Sequence, residues 1–321
     1  MASAAVAIVS NHPPFWEGRK IQSNRVREND PSAETATESY KEAFLVTPRI
    51  RIGNQTSISC AETLEPFLFA VQNGFDAFEW FADKKENADG TSAGWDESDV
   101  DAETRLWIRD HGAAHDVRFT VHAPWQANVL DTNAIPLLLR SIDFARDIGA
   151  ELVNLHLYMD EGPQGFVRAL EPLMRYATDA KLRLSIENTP QTTADDFTRT
   201  FACLAELPTA ATVGMCLDIG HANLCPETHN NFIRYLDLLS DDVPIIHLHA
   251  HENRGDRDSH MTLFTGPSRE DDSGIRALVE RLRRRDYRGV IILEQWPDPP
   301  QLLIEAATRL RDLLEQESTV D

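Results

Sequence analysis

Five side chains able to hold a metal ion recur at almost constant intervals along this chain. They are His122, His156, Glu187, Asp218 and His249, separated by 34, 31, 31 and 31 residues. Each closes a short apolar run, in FTVHAPW, LVNLHLY, LRLSIENTP, GMCLDIGHAN and PIIHLHAHEN. Imidazole nitrogen and carboxylate oxygen together suit Zn²⁺, Mn²⁺ or a similar divalent ion. Burying this many carboxylates without a cation would also be costly. Glu294, at the end of GVIILEQ, continues the series, and two local motifs add to it. In LDIGHAN, Asp218 and His221 are three residues apart; in HAHENRGDRDSHMTL, Asp258 and His260 form a D-x-H pair. Seven of the eleven histidines (His122, His156, His221, His247, His249, His251 and His260) fall at or near the ends of such runs. His12, His111, His115 and His229 do not, and read as packed or solvated side chains.

A period near 31 is about one strand, one helix and two short loops. Eight strand-like runs can be read: RIRIGNQTS, DAFEWFA, RFTVHAP, ELVNLHLY, LRLSIEN, TVGMCLDIG, PIIHLHAH and GVIILEQ. Helical patterns separate them. After the third run, Leu138, Ile142, Ala145 and Ile148 form a stripe, and Gly149 can end that helix. Later helices read from FVRALEPLMRYA, ADDFTRTFACLAEL, GIRALVERLRRR and LLIEAATRLRDLLEQ. Eight β-then-α units in about 270 residues indicate a (β/α)8 TIM barrel; a doubly wound open sheet would not require so regular a count. Side chains alternate across a strand, so one parity faces the helices and the other the barrel axis. Arg183, Ser185 and Glu187 form the polar parity of LRLSIE. In PIIHLHAH the inward set reads as Ile245, His247, His249 and His251. Pro124, Pro190 and Pro297 follow the runs and help to stop the strands there. All the candidate ligands then meet at the C-terminal mouth, where active sites of this architecture lie.

The totals bound the rest. Of 321 residues, 42% are hydrophobic, enough for a large core, yet no run approaches the roughly 18 to 20 apolar residues needed to span a bilayer. MASAAVAIVS lacks a basic n-region. Cys60, Cys203, Cys216 and Cys225 show no CxxC spacing, so reduced thiols in a cytoplasmic protein are expected. A net charge of −21 weighs against a nucleic-acid partner. The basic run Arg281 to Arg285 reads as the solvated face of an outer helix. Residues 1–47 are polar and aperiodic, an N-terminal extension in which AAVAIVS has no assigned place; 48–317 form the catalytic domain. A small-molecule substrate and no membrane partner are expected, and a homo-oligomer is compatible with the sequence.

GFDAFEW, TVHAPW, LVNLHLY, IENTP, CLDIGHAN, HLHAHENRGDRDSH and ILEQW, in this order, resemble the xylose isomerase-like TIM barrels over roughly 48–317. That superfamily includes endonuclease IV and many sugar isomerases and epimerases. The resemblance to the isomerase branch implies one divalent ion held by Glu187, Asp218, His249 and Glu294, with His221 on the substrate and Glu187 and Glu294 moving a proton next to a carbonyl. His247 replaces His249 if the register differs. The resemblance to endonuclease IV implies a trinuclear zinc cluster that adds His122, His156, His221, Asp258 and His260. The cofactor expectation is therefore one to three ions of Zn or Mn. Arg254 and Arg257 are candidates for binding a substrate phosphate or hydroxyls, and Trp80, Trp125 and Trp296 for walling a sugar pocket. Glu79 is a candidate second-layer or substrate-binding group. The leading expectation is a metal-dependent isomerase or epimerase of a small sugar-like substrate, phosphorylated or not. The alternatives are a zinc-dependent phosphoesterase similar to endonuclease IV and a barrel that binds metal or ligand without turnover.

Overall fold

The computed structural model describes residues 49–316, apart from 57–59, 61 and 87–89. The extension expected over 1–47 lies outside the described residues. Eight parallel strands close on themselves: β1 (Arg51–Gln55), β2 (Ala77–Phe81), β3 (Arg118–His122), β4 (Leu152–His156), β5 (Arg183–Glu187), β6 (Val213–Asp218), β7 (Ile245–Ala250) and β8 (Val290–Leu293). Each pairs with its neighbours in sequence, and β8 returns to β1 with Arg51 opposite Val290 and Asn54 opposite Leu293. The helices are α1 (Glu65–Gln72), α2 (Ala102–Ala114), α3 (Ile135–Ile148), α4 (Gly162–Asp179), α5 (Ala194–Leu204), α6 (Ile219–Leu224), α7 (Phe232–Leu238), α8 (Ser273–Arg284) and α9 (Gln301–Glu315). The architecture is the (β/α)8 barrel, with a small hairpin (Lys85–Glu86 with Ser92–Ala93) after β2.

Local sequence explains the helix ends. The Leu138, Ile142, Ala145 and Ile148 stripe of α3 is buried, and Gly149 ends the helix at φ 72°, a left-handed conformation that glycine adopts without steric penalty. Thr193 and Asp196 exchange side-chain and backbone hydrogen bonds at the start of α5, a capping box. The basic run lies on and just after α8, where Arg281 pairs with Asp237 at 2.6 Å. Cys60, Cys203, Cys216 and Cys225 are free thiols. Among the described residues, no helix is long and apolar enough to cross a membrane.

The barrel interior is layered. Ala77, Val290 and Ile292 make a small apolar floor, separate from the large core between strands and helices. Above it the inward side chains are polar: Glu79, Thr120, Asn154, Ser185 and His247 are all fully buried. Two expectations need correcting. Ile245 packs on the helix side, because the β6–β7 register slips between Met215 and Cys216; the extra residue, Ile246, lies against Gly214. The bulge restores the inward phase by His247, which sits opposite Cys216. Trp80 does not wall the pocket. Glu79 points into the barrel, so strand alternation turns Trp80 outward, where it packs against Phe67, Phe78, Trp95 and Phe144. Trp80→Ala is expected to lower the unfolding free energy by about 3–5 kcal/mol, read from the shift in denaturant midpoint.

Candidate metal centre

The strand ends deliver the candidate ligands as follows. His122 ends β3, His156 ends β4, Glu187 ends β5 and Asp218 ends β6; His249 is the next-to-last residue of β7, and Glu294 follows β8. Asp218 also caps α6: its Oδ1 accepts the His221 backbone N–H at 2.6 Å, so the D-x-x-H spacing is one helical turn that folds His221 back over the strand end. Asp258 and His260 come from the loop after β7. That loop is tied down by paired backbone hydrogen bonds of 2.8 Å between Glu252 and Met261.

Four peripheral imidazoles have one nitrogen already committed. A carbonyl oxygen can only accept, so an Nδ1 against a carbonyl carries the proton and leaves Nε2 to face the cavity. His122 Nδ1 donates to Ala123 O at 2.6 Å, His156 to Trp125 O at 3.3 Å, His221 to Asn188 O at 2.8 Å and His260 to Glu294 O at 2.9 Å. Their free Nε2 atoms all face carboxylates. His122 and His156 address the two oxygens of Glu187 at 3.1 and 3.5 Å, and His221 and His260 address Asp258 at 3.2 and 3.0 Å. His249 is turned the other way. Its Nε2 lies 2.8 Å from Glu79, which leaves Nδ1 at 3.3 Å from Glu187, 3.5 Å from Glu294 and 3.9 Å from Asp218. A lone pair facing a carboxylate is tolerable only with a positive charge between them, either a proton or a metal ion. Anchoring of the remote imidazole nitrogen by a carbonyl or carboxylate is how proteins orient metal-binding histidines.

The buried atoms Glu187 Oε1, Glu294 Oε2 and His249 Nδ1 have no hydrogen-bond partner. Donor atoms of His122, Glu187, His249 and Glu294 lie within 4.8 Å of one another, as do those of His221, His251, Asp258 and His260. Two further groups, Glu187 with Asp218 and His221, and Asp218 with His251 and Glu294, join these. The residues present therefore fit divalent cations at an inner position, around His249 Nδ1, and an outer one, around Asp258.

Electrostatics agree with that placement. Burial pushes the Glu187 carboxyl upward, but the His249 and His156 imidazoles outweigh it and hold the group well below the usual carboxylate range. Glu294 goes the other way: burial raises it more than His249 and His260 lower it. Burial depresses His260, yet Glu294 and Asp258 overcome that and raise it to about 10. His249 is likewise driven well above the ordinary histidine value, burial being outweighed by the carboxylates of Glu294, Glu79 and Glu187.

The family model "Xylose isomerase-like TIM barrel" matches residues 67–313. The chain belongs to this family. Its sequence is 26% identical over 200 residues to the Uncharacterized protein MJ1311 of Methanocaldococcus jannaschii, a match spanning 56% of this chain and 65% of that relative's own length. A D-tagatose 3-epimerase-like protein superposes with a TM-score of 0.64 at 19% identity, covering 83% of this chain and 97% of the other. The TTHB071 protein from Thermus thermophilus, in a crystal soaked with ZnCl2, gives 0.58 at 20% identity, covering 84% and 100%. At these identities the structural likenesses establish a shared fold.

Within this xylose isomerase-like barrel the mouth opens into a pocket of about 380 Å³, lined by Phe81, His122, Trp125, His156, Tyr158, Thr189, Pro190, Gln191, His221, Asp258, His260 and Glu294. Trp125 is half-exposed on its wall, and its carbonyl accepts the Tyr158 hydroxyl at 2.5 Å. Trp296 is elsewhere: it packs edge-on to Phe69, 5.2 Å between ring centroids. Arg254 and Arg257 are exposed and do not line this pocket; Arg254 borders a separate cavity with Asn223 and Phe232, because the chain turns outward after Asn253. Glu79 lies below the pocket, bound to Thr120, His247 and His249. The sequence alone assigns no role to His251, Asn154 or Tyr158. Asn154 donates to Glu187, and His251 sits 3.1 Å from Asp218. The strand parity of NLH and HLHAH was their only available signal.

Glu79→Gln should weaken zinc binding by about 10–100-fold in a chelator competition, because His249 loses the carboxylate that fixes its ring. Metal binding should also release protons. His260 is protonated in the metal-free protein below about pH 10 and must be neutral to ligate. Zinc affinity should therefore rise with pH up to about 10, and calorimetric enthalpies at pH 7.5 should differ between buffers of different ionisation enthalpy. Equal enthalpies in all buffers would contradict the assignment.

Proposed function

We propose that this chain is a metal-dependent isomerase or epimerase of a small sugar-like substrate. One observation carries the reading: the buried carboxylates of Glu187 and Glu294 flank a single imidazole nitrogen, 3.3 and 3.5 Å from His249 Nδ1, beneath a pocket of sugar size. Phe81, Trp125 and Tyr158 give that pocket aromatic walls, and Thr189 and Gln191 give it hydroxyl and amide partners. No lysine or arginine is among its described lining residues, which supports an uncharged substrate over a phosphorylated one. A D-tagatose 3-epimerase-like protein among the structural neighbours is in keeping with this.

In this reading Glu187, Asp218, His249 and Glu294 hold one divalent ion, Zn²⁺ or Mn²⁺. When bound, the ion draws charge from the substrate's carbonyl and adjacent hydroxyl and so acidifies the intervening C–H. The chain supplies the proton transfers. Glu187 accepts the proton from carbon, and Glu294 returns one. Thr189, Gln191 and the aromatic walls fix the substrate. The D-x-H group favours a second reading, a zinc-dependent phosphoesterase, since ions at two positions can clamp a phosphoester from both sides.

The manganese- or zinc-loaded protein, incubated with a panel of ketohexoses in deuterated water, is expected to exchange the hydrogen next to the carbonyl, followed by proton NMR. Glu187→Gln should lose the exchange by more than about 100-fold while retaining its circular dichroism spectrum. Hydrolysis of bis(p-nitrophenyl) phosphate without any such exchange would replace this reading with the hydrolytic one.

A further inference from the structure

The nine side chains that the family resemblance supplies do not include His251, yet His251 lies among the candidate cation positions. It is buried, with 1% of its surface exposed. Its Nε2 is 3.1 Å from Asp218 Oδ2, 3.7 Å from Glu294 Oε2 and 3.8 Å from Asp258 Oδ1. Its ring stacks on His260 at 4.0 Å between centroids and 4° between planes. Its Nδ1, against Gly220, has no hydrogen-bond partner, so in the metal-free chain the ring proton sits on Nε2, donated to the Asp218 carboxylate, and ligation exchanges that proton for the ion. The seat is provided by Gly220, where a Cβ would overlap the His251 ring, and by Asn253, which donates to Gly220 O at 2.8 Å and fixes the approach of the two segments.

We propose that His251 is a protein ligand of the outer cation, completing a four-donor set with His221, Asp258 and His260. Three Nε2 atoms then surround one carboxylate, at 3.2, 3.8 and 3.0 Å from Asp258. Four protein donors within 4.8 Å of one another, three nitrogens and one oxygen, would fill all four positions of a tetrahedral zinc, as closed sites do. A catalytic zinc keeps one position open for water or substrate. The outer ion of this chain is therefore a staple that fastens the loop after β7 to α6 and takes no part in activating water. The inner position remains for chemistry, which deepens the isomerase reading and rests on its metal dependence.

The test measures ions bound by the full chain. Zinc is titrated in, and affinities are read by competition with a chromophoric chelator. Wild type is expected to hold one ion that Asp258→Asn does not, and this defines the outer ion. In His251→Ala, and in His251→Gln, which keeps the bulk of the ring, that ion should bind at least about ten-fold more weakly. An outer ion held equally tightly by both His251 variants overturns the proposal. Binding of no zinc at all overturns this proposal together with metal dependence, whereas an outer ion indifferent to His251 leaves the isomerase reading standing.

Discussion

The structure depends on one electrostatic constraint: carboxylates buried at the barrel mouth must each be met by positive charge, and the imidazoles around them are aimed to allow it. Glu187 and Asp218 are fully buried and Glu294 nearly so, at a depth where an unpaired carboxylate would cost several kcal/mol. Backbone carbonyls of Ala123, Trp125, Asn188 and Glu294 take up one nitrogen of each peripheral histidine. Protons or cations must then occupy the remaining gaps.

The barrel itself supplies rigidity. Candidate ligands placed at the ends of adjacent parallel strands inherit the interstrand spacing, so neighbouring donors meet without long flexible loops. Only Asp258 and His260 come from a long connection, and there the Glu252–Met261 bridge substitutes for a strand. Below the mouth, Glu79 joins Thr120, His247 and His249 in a buried network that orients the central imidazole from beneath. The apolar floor of Ala77, Val290 and Ile292 closes the interior under it.

Much of this was legible in the sequence because the repeat of about 31 residues records the geometry directly. A ligand every strand–helix unit, always at the end of an apolar run, can only mean one end of one parallel sheet. The strand phase was equally readable, and it also places Trp80 correctly once Glu79 is taken as inward. What escaped were features set by nonlocal geometry. The role of His251 depends on Gly220 of a neighbouring unit leaving room for its ring. Arg254 and Arg257 have the right chemistry for a substrate but are carried out of the pocket by the loop path. Trp296 follows a strand end, yet Phe69 on α1 captures its ring.

The bulge at Ile246 has a wider consequence. By inserting one residue into β7 opposite an unbroken β6, it decouples the two halves of that strand. Below it Ile245 packs toward the helices, and above it His247, His249 and His251 turn to the barrel interior. Substitutions in the lower half can then drift with the hydrophobic interior while the histidine-bearing half keeps its aim. Unbroken alternation from an outward Ile245 would instead turn His247, His249 and His251 toward the helices.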